Sequence, residues 1–315
     1  MPGAARRFIL SGNIRRYFNN RGFALSFTTF GCKPRSNMKR ILIIAFLSLG
    51  ALCTQAQSLV TPQPSPTQML TQNFGVGTVE LSYSRPALKG RKVGTEIAPY
   101  GKVWRTGANN ATTIKFTDDV TIGGTLIKAG KYGVLSIPDV KEWTMIITKD
   151  VTVTQPDQYK QANDIVRVKV TPVKLGNKVE TLTINFGNIT GSSCELQLMW
   201  DNSLVSLPIS TDTDGKVMKQ ITEAFDKGGK PYYAAAQYYY DNGKDIAKAK
   251  EWIDQATADP ANAKAFYMFL SKARIYKKAG NKAGAKEAAE KTIATATEAK
   301  NDEYVKMAQD LIKGL

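Results

Sequence analysis

Residues 181–225, TLTINFGNITGSSCELQLMWDNSLVSLPISTDTDGKVMKQITEAF, change their hydrophobic period partway along. Up to Ile209 the apolar side chains recur at every second position: Leu182/Ile184/Phe186, Cys194/Leu196/Leu198, then Val205/Leu207/Ile209. Successive side chains of a strand point to opposite faces, so this is the signature of half-buried strands. After Asp212-Thr213-Asp214-Gly215 the spacing becomes helical, and Ala, Lys and Glu replace Thr and Val. The sequence therefore predicts a strand-built domain over 69–210, a linker at 211–215 and an α-helical domain over 216–315. Asp212, Asp214 and Gly215 resemble part of a calcium loop, but Ile221 stands where a bidentate Glu is needed, so an Asp capping the next helix is the better reading.

Toward the N-terminus the alternation continues through Leu81/Tyr83, Ile114/Phe116, Val120/Ile122, Trp143/Met145/Ile147 and Val166/Val168/Val170. Turn signals punctuate it at Gly123-Gly124, Ala129-Gly130, Pro138-Asp139, Gly176-Asn177 and Asp201-Asn202-Ser203. About eight strands without intervening helices predict a β-sandwich or flattened barrel. Toward the C-terminus the chain repeats itself: Tyr240, Ala249, Lys250 and Glu251 match Tyr276, Ala285, Lys286 and Glu287, with Gly243 and Gly280 between paired helices and Asp259-Pro260 between hairpins. The expected domain is all-α, built of helical hairpins that resemble tetratricopeptide repeats, with a peptide or protein as its partner. Tyr232, Tyr233, Tyr238, Tyr239 and Tyr240 are expected to fill the spaces between helices.

Charge separates the leader from the rest. The 315 residues carry a net charge of +16, but the first 56 hold nine Lys or Arg and no acid, leaving +7 for the remainder. Neither domain shows the clustered cations and interleaved aromatics of a nucleic-acid surface, so no nucleic-acid partner is expected. Met38-Lys39-Arg40, the apolar run Ile41–Leu52 and Thr54-Gln55-Ala56 read as a signal peptide over 38–56, with cleavage near Ala56 and a periplasmic or secreted product. The run is too short for a stable membrane anchor. Residues 1–37 read as an upstream extension from a misassigned start, and the proline-rich stretch 57–68 as an extended tether. Past the leader Cys194 is the sole cysteine, expected to be buried and inert.

The segment Pro99–Asn110, PYGKVWRTGANN, is not strand-like: it packs aromatics, cations, glycines and amides together. Tyr100 and Trp104 offer flat apolar faces, while Lys102, Arg105 and Asn109 can bind carboxylate, phosphate or hydroxyl groups. These five residues are the candidate contact set for an unidentified polar ligand or envelope component. The competing reading has Trp104 plugging the end of the sandwich and Arg105 bonding loop carbonyls or an acid such as Asp118 or Asp119.

The runs SRPALKGRKVG (84–94), APYGKVWRTGANNATTIKFTDDVTIGGTLIKAGKYGVLSIP (98–138) and EWTMIITKD (142–150) resemble the bacterial envelope family catalogued as domain of unknown function 2911, found chiefly in Bacteroidetes. The resemblance extends to about Ile209 and implies export and the two-part architecture; it implies no reaction and no site residues.

With no histidine in the chain, mechanisms that need an imidazole base or ligand are excluded. No catalytic residue, cofactor or metal ligand set is assigned. A non-enzymatic exported binding module is the leading expectation. The alternatives are a helical-repeat adaptor and a hydrolase with paired carboxylates, for which Asp118-Asp119 are the nearest pair. Neighbours on a strand face opposite ways, which weighs against the hydrolase.

Overall fold

A computed structural model describes residues 61–315. The sequence readings for 1–37 and 38–56 lie outside the described residues. In chain order the strands are β1 (Thr67–Phe74), β2 (Gly77–Ser84), β3 (Val93–Gly94), β4 (Ile97–Pro99), β5 (Thr113–Phe116), β6 (Val120–Ile122), β7 (Thr125–Ile127), β8 (Gly130–Ile137), β9 (Trp143–Thr148), β10 (Asp164–Val170), β11 (Val173–Gly187) and β12 (Ser193–Ser210). A six-stranded antiparallel sheet runs β1-β2-β5-β8-β9-β10, a four-stranded sheet runs β11-β12-β6-β7, and β3 and β4 form a small separate ribbon. The two large sheets share one apolar core, with Leu81, Tyr83, Ile114 and Met145 from the first meeting Leu182, Leu196, Trp200 and Leu207 from the second. This is the expected β-sandwich.

The strand count departs from the expected eight for identifiable reasons. β8 reads GKYGVLSI, without alternation, because Val134 faces the sandwich core while its neighbour Leu135 is buried on the other face, under Val103, Val153 and Tyr159. Asp201-Asn202-Ser203 is not a turn: Asp201 sits inside β12 at φ 52°, opposite Val179, where the register with β11 shifts. That is a bulge, which bends a long strand without ending it. Gly176-Asn177 lies in the matching irregular stretch of β11.

Two contacts close the sandwich along one side. Arg85 donates from Nε to Leu182 O at 3.0 Å and from Nη2 to Thr183 Oγ1 at 2.9 Å, tying the end of β2 to β11. The buried Tyr83 hydroxyl accepts from the Ile184 N–H at 2.8 Å and donates to Gln68 Oε1 at 2.9 Å. On the other side β10 packs on the β6–β7 turn, where a side chain at Gly123 would come within 2.5 Å of Val168.

The helices are α1 (Thr213–Asp226), α2 (Tyr232–Asp241), α3 (Ile246–Ala258), α4 (Phe266–Lys278), α5 (Lys282–Glu298) and α6 (Asp302–Lys313). Side-chain caps from Asp212, Asp245, Asn281 and Asn301 satisfy N–H groups that have no intrahelical partner at the starts of α1, α3, α5 and α6. Gly243 and Gly280 take left-handed φ of 64° and 77° where α2 and α4 end. The resulting hairpins pack around small residues, Ala235, Ala249, Ala273 and Ala289 among them, with Trp252 and Leu270. Four of the five clustered tyrosines pack there; Tyr238 instead donates its hydroxyl to Asp214 Oδ1 at 2.8 Å.

Only Thr211 and Asp212 separate β12 from α1. Thr211 Oγ1 donates to Asp119 O at 2.9 Å, Thr213 Oγ1 donates to Gly191 O at 2.8 Å, and Lys216 pairs with Asp118 at 2.7 Å. Asp212 caps α1 through the Gly215 N–H, and Asp214 holds Lys244 as well as Tyr238. The calcium-like residues are thus used for capping and for bracing α1 against the next hairpin.

Candidate functional site

The Pro99–Asn110 segment leaves β4 and returns to β5 across the end of the six-stranded sheet. Trp104 is the pivot. Its backbone pairs with Ser136 of β8 in both directions, at 2.7 and 2.9 Å. Its indole stacks on Trp200, with ring centres 5.2 Å apart and an interplanar angle of 15°, and meets Trp143 edge-on at 6.5 Å. Indole Nε1 donates to Gly107 O at 3.1 Å. Thr106 and Asn109 take φ of 56° and 54°, a strained region for a β-branched residue such as threonine. The fully buried Thr106 is held by Ser136 Oγ at 3.0 Å and by Thr112, whose hydroxyl donates to Thr106 O at 3.0 Å.

Of the five sequence-selected residues, Trp104, Arg105 and Asn109 bond to their own chain. Arg105 Nη1 donates to Asn109 O at 3.0 Å, closing the loop on itself, and Asn109 Nδ2 donates to Ser65 O at 2.9 Å. Tyr100 is exposed, with its ring against Gly94, and Lys102 is exposed. The indole and one edge of the guanidinium are engaged by their own chain.

The acid pair is separated too. Asp118 Oδ1 pairs with Lys216, whereas Asp119 receives Lys128 Nζ and the Ala129 N–H, both at 2.9 Å. Those two hydrogen bonds hold the Asp119 carboxyl below the usual carboxylate range. The same direction holds for Asp150, Glu195, Asp214, Asp254 and Glu298, all stabilised as anions by hydrogen-bond donors. A glycosidic general acid needs the opposite shift. Burial, and then the neighbouring Glu195 charge, push the Cys194 thiol up to about 11, which removes its nucleophilic character near neutrality.

A different constellation stands on the helices. Tyr240 of α2, Arg274, Lys277 and Lys278 of α4, and Met307 and Leu311 of α6 line a groove of about 570 Å³. Positions 274, 277 and 278 fall on one helical face because residues three and four apart are neighbours there. Lys278 donates to Tyr240 O at 3.0 Å and lies 4.9 Å above the ring centre, and Arg274 Nη2 lies 3.9 Å from Met307 Sδ. None of the three cations has an acidic partner among the described residues. Other lysines of the helical part do: Lys250 and Lys272 share Asp254, Lys264 pairs with Glu298, and Lys313 with Asp310. A larger groove of about 760 Å³ passes Phe269, Lys272, Tyr276 and Lys291, but there Lys272 is neutralised by Asp254 and Glu287 adds a carboxylate. The run RIYKK at 274–278 was the available sequence signal; assigning the neighbouring tyrosines to packing concealed it.

Residues 65–209 match the model of the family described as Protein of unknown function (DUF2911). No curated protein and no solved structure matches the chain. The match begins just before β1 and ends within β12, taking in the Trp104 loop, the Arg85 strap and both large sheets. Over its strand-built part, residues 65–209, the chain is similar to the DUF2911 family.

Proposed function

We propose that the protein is an exported, non-enzymatic binding protein in which a DUF2911 sandwich carries a helical array, and that the array takes acidic peptide segments in the groove between α2, α4 and α6. The observation carrying this is the set of three cations, Arg274, Lys277 and Lys278, beside Tyr240, Met307 and Leu311, with no ion pair to a carboxylate among the described residues. An apolar floor with unpaired cations suits a chain that alternates acidic and apolar side chains, because guanidinium and ammonium groups gain most from anions brought into a partly desolvated site. Hairpin arrays resembling tetratricopeptide repeats offer such extended surfaces. Export is supported by the Met38–Ala56 leader pattern, and no helix among the described residues is long and apolar enough to cross a membrane. The loop residues Tyr100, Lys102, Trp104, Arg105 and Asn109 then serve to finish the sandwich end.

Fluorescence anisotropy with a labelled peptide rich in Glu and Leu, against a Lys/Leu control, tests the proposal. The acidic peptide should bind, weaken as salt is raised, and lose about tenfold in affinity in Arg274→Ala/Lys278→Ala. Equal binding of both peptides, or an unchanged affinity in the double variant, would rule the groove out.

A further inference from the structure

Three of the four outer strands of the two large sheets are protected, and one is not. β10, at one edge of the six-stranded sheet, carries Asp164, Arg167 and Lys169, contains a register shift, and packs on the β6–β7 turn. β11 is covered over part of its length by residues 86–88: Leu182 N–H donates to Pro86 O at 2.9 Å and Leu88 N–H to Glu180 O at 2.9 Å. β7 has only three residues. Each is a recognised way of preventing a sheet from recruiting another strand. β1, TQMLTQNF, has eight residues in unbroken register with β2, no charged side chain and no internal proline, and its far edge pairs with no strand among the described residues.

The backbone direction of that edge can be derived. Pro66 O accepts from the Arg85 N–H at 3.0 Å, so the even-numbered residues direct their peptide groups to β2 and the odd-numbered ones direct theirs outward. Among the described residues Thr67, Met69, Thr71 and Asn73 therefore offer an open ladder, with only Asn73 O occupied, by Gln72 Nε2 at 3.0 Å. Leu70 packs on the core yet stays half-buried, as an inward residue does when the neighbouring strand is missing. Met69 is 76% exposed.

We propose that this edge pairs with the same edge of a second copy of the chain, β1 to β1 and antiparallel, joining two sandwiches through one continuous sheet. The second copy is favoured over an unrelated strand on two grounds. A two-fold contact saturates both edges at once and closes, whereas a foreign strand leaves its own outer edge open. The near-neutral strand domain, with a net charge of +2 over 57–214, lets two copies approach with little repulsion. Keeping core-facing side chains on one side of the joined sheet requires opposed residues of equal parity. An axis through Leu70 meets this requirement and places Met69 of one copy opposite Thr71 of the other.

Sedimentation equilibrium of the protein expressed from its full-length gene should show a monomer–dimer equilibrium. Met69→Lys/Thr71→Lys sets like charges opposite one another and should weaken the dimer by about tenfold or more without changing the circular dichroism spectrum. In a second measurement, Met69→Cys chains are mixed with Thr71→Cys chains under mild oxidation. They should cross-link more than either variant alone or wild type, because opposed residues of a hydrogen-bonded antiparallel pair lie about 5.5 Å apart at Cα. A wild type that stays monomeric at every concentration, a dimer indifferent to a folded double-lysine variant, or a Cys mixture that cross-links no faster than its components overturns the proposal. If the lysine variant unfolds, the cross-linking result decides.

Discussion

At the scale of single residues, Trp104 shows how a side chain suited to ligand contact is used to hold a fold. Its indole makes a face-to-face contact with the buried Trp200, an edge contact with Trp143 and a hydrogen bond to Gly107 O. Trp104→Ala should therefore lower stability by about 3 kcal/mol in urea unfolding, within the range for removing a packed aromatic ring. Arg105→Ala, which loses one bond to the Asn109 carbonyl at a half-exposed position, should cost under about 1 kcal/mol in the same experiment. If the Trp104 variant melts like wild type while the Arg105 variant collapses, the roles assigned to the loop are reversed. Cys194 gives a second test: with its thiol pushed up to about 11, alkylation followed by peptide mapping should leave it unmodified in native protein and modified after denaturation. Composition singled out Pro99–Asn110 because glycines, aromatics and amides crowd together where the backbone takes positive φ. The direction of an indole, however, depends on the partner waiting for it, and Trp200 is almost a hundred residues away in sequence.

Elements were legible where one face is buried and the other wet, and obscure where that condition fails. β2, β5, β9 and β10 were read from alternation; β8 was not, because Leu135 is covered on the face that alternation assumes is solvent. β1 was missed for the opposite reason, since an uncovered edge needs few apolar side chains. Helix starts were more local and easier to read. Asp212 accepts from the Gly215 N–H at 2.8 Å, so Asp212→Ala should cost about 1 kcal/mol in thermal unfolding, with Asp212→Asn close to neutral. Between α3 and α4, burial pushes the Asp254 carboxyl up, but Lys272, Tyr276 and Lys250 more than reverse this and hold it below the usual range. A carboxyl depressed in the folded state adds stability above its unfolded pKa of about 3.9 and loses it as pH falls through the lower folded value. Asp254→Asn should thus lower the melting temperature near neutrality, by the equivalent of about 1 kcal/mol for a carboxyl 34% exposed and screened by solvent. The difference from wild type should shrink below about pH 3. A difference independent of pH would show that the ion cluster is not its source.

For the whole molecule, the decisive contacts cross from sandwich to helices, and they were the least legible because each joins residues distant in sequence. A linker was expected from Asp-Thr-Asp-Gly, yet Thr211 and Thr213 bond carbonyls of two different loops and Lys216 reaches back to Asp118. With Asp214 gripping Tyr238 and Lys244, α1 acts as a splint between the strand-built part and the first hairpin. Pro62–Leu315 accordingly form one compact unit. A flexible linker would be cut early by a protease, whereas a splinted one is cut only when it opens locally, at a rate set by the free energy of opening. Lys216 is a trypsin site whose ammonium is paired with Asp118 and whose side chain is two-thirds buried, at 31% exposure. Native protein should therefore resist cleavage after Lys216. Asp118→Ala strips the pairing from a partly buried cation, which should raise local opening by about 1.4 kcal/mol and the cleavage rate by about tenfold. Cleavage at other exposed lysines, such as Lys102 on the sandwich, should not change. Rapid cleavage after Lys216 in wild type, or an identical rate in Asp118→Ala, would mean that the two parts are joined by a tether and that the groove on the helices moves independently of the sandwich.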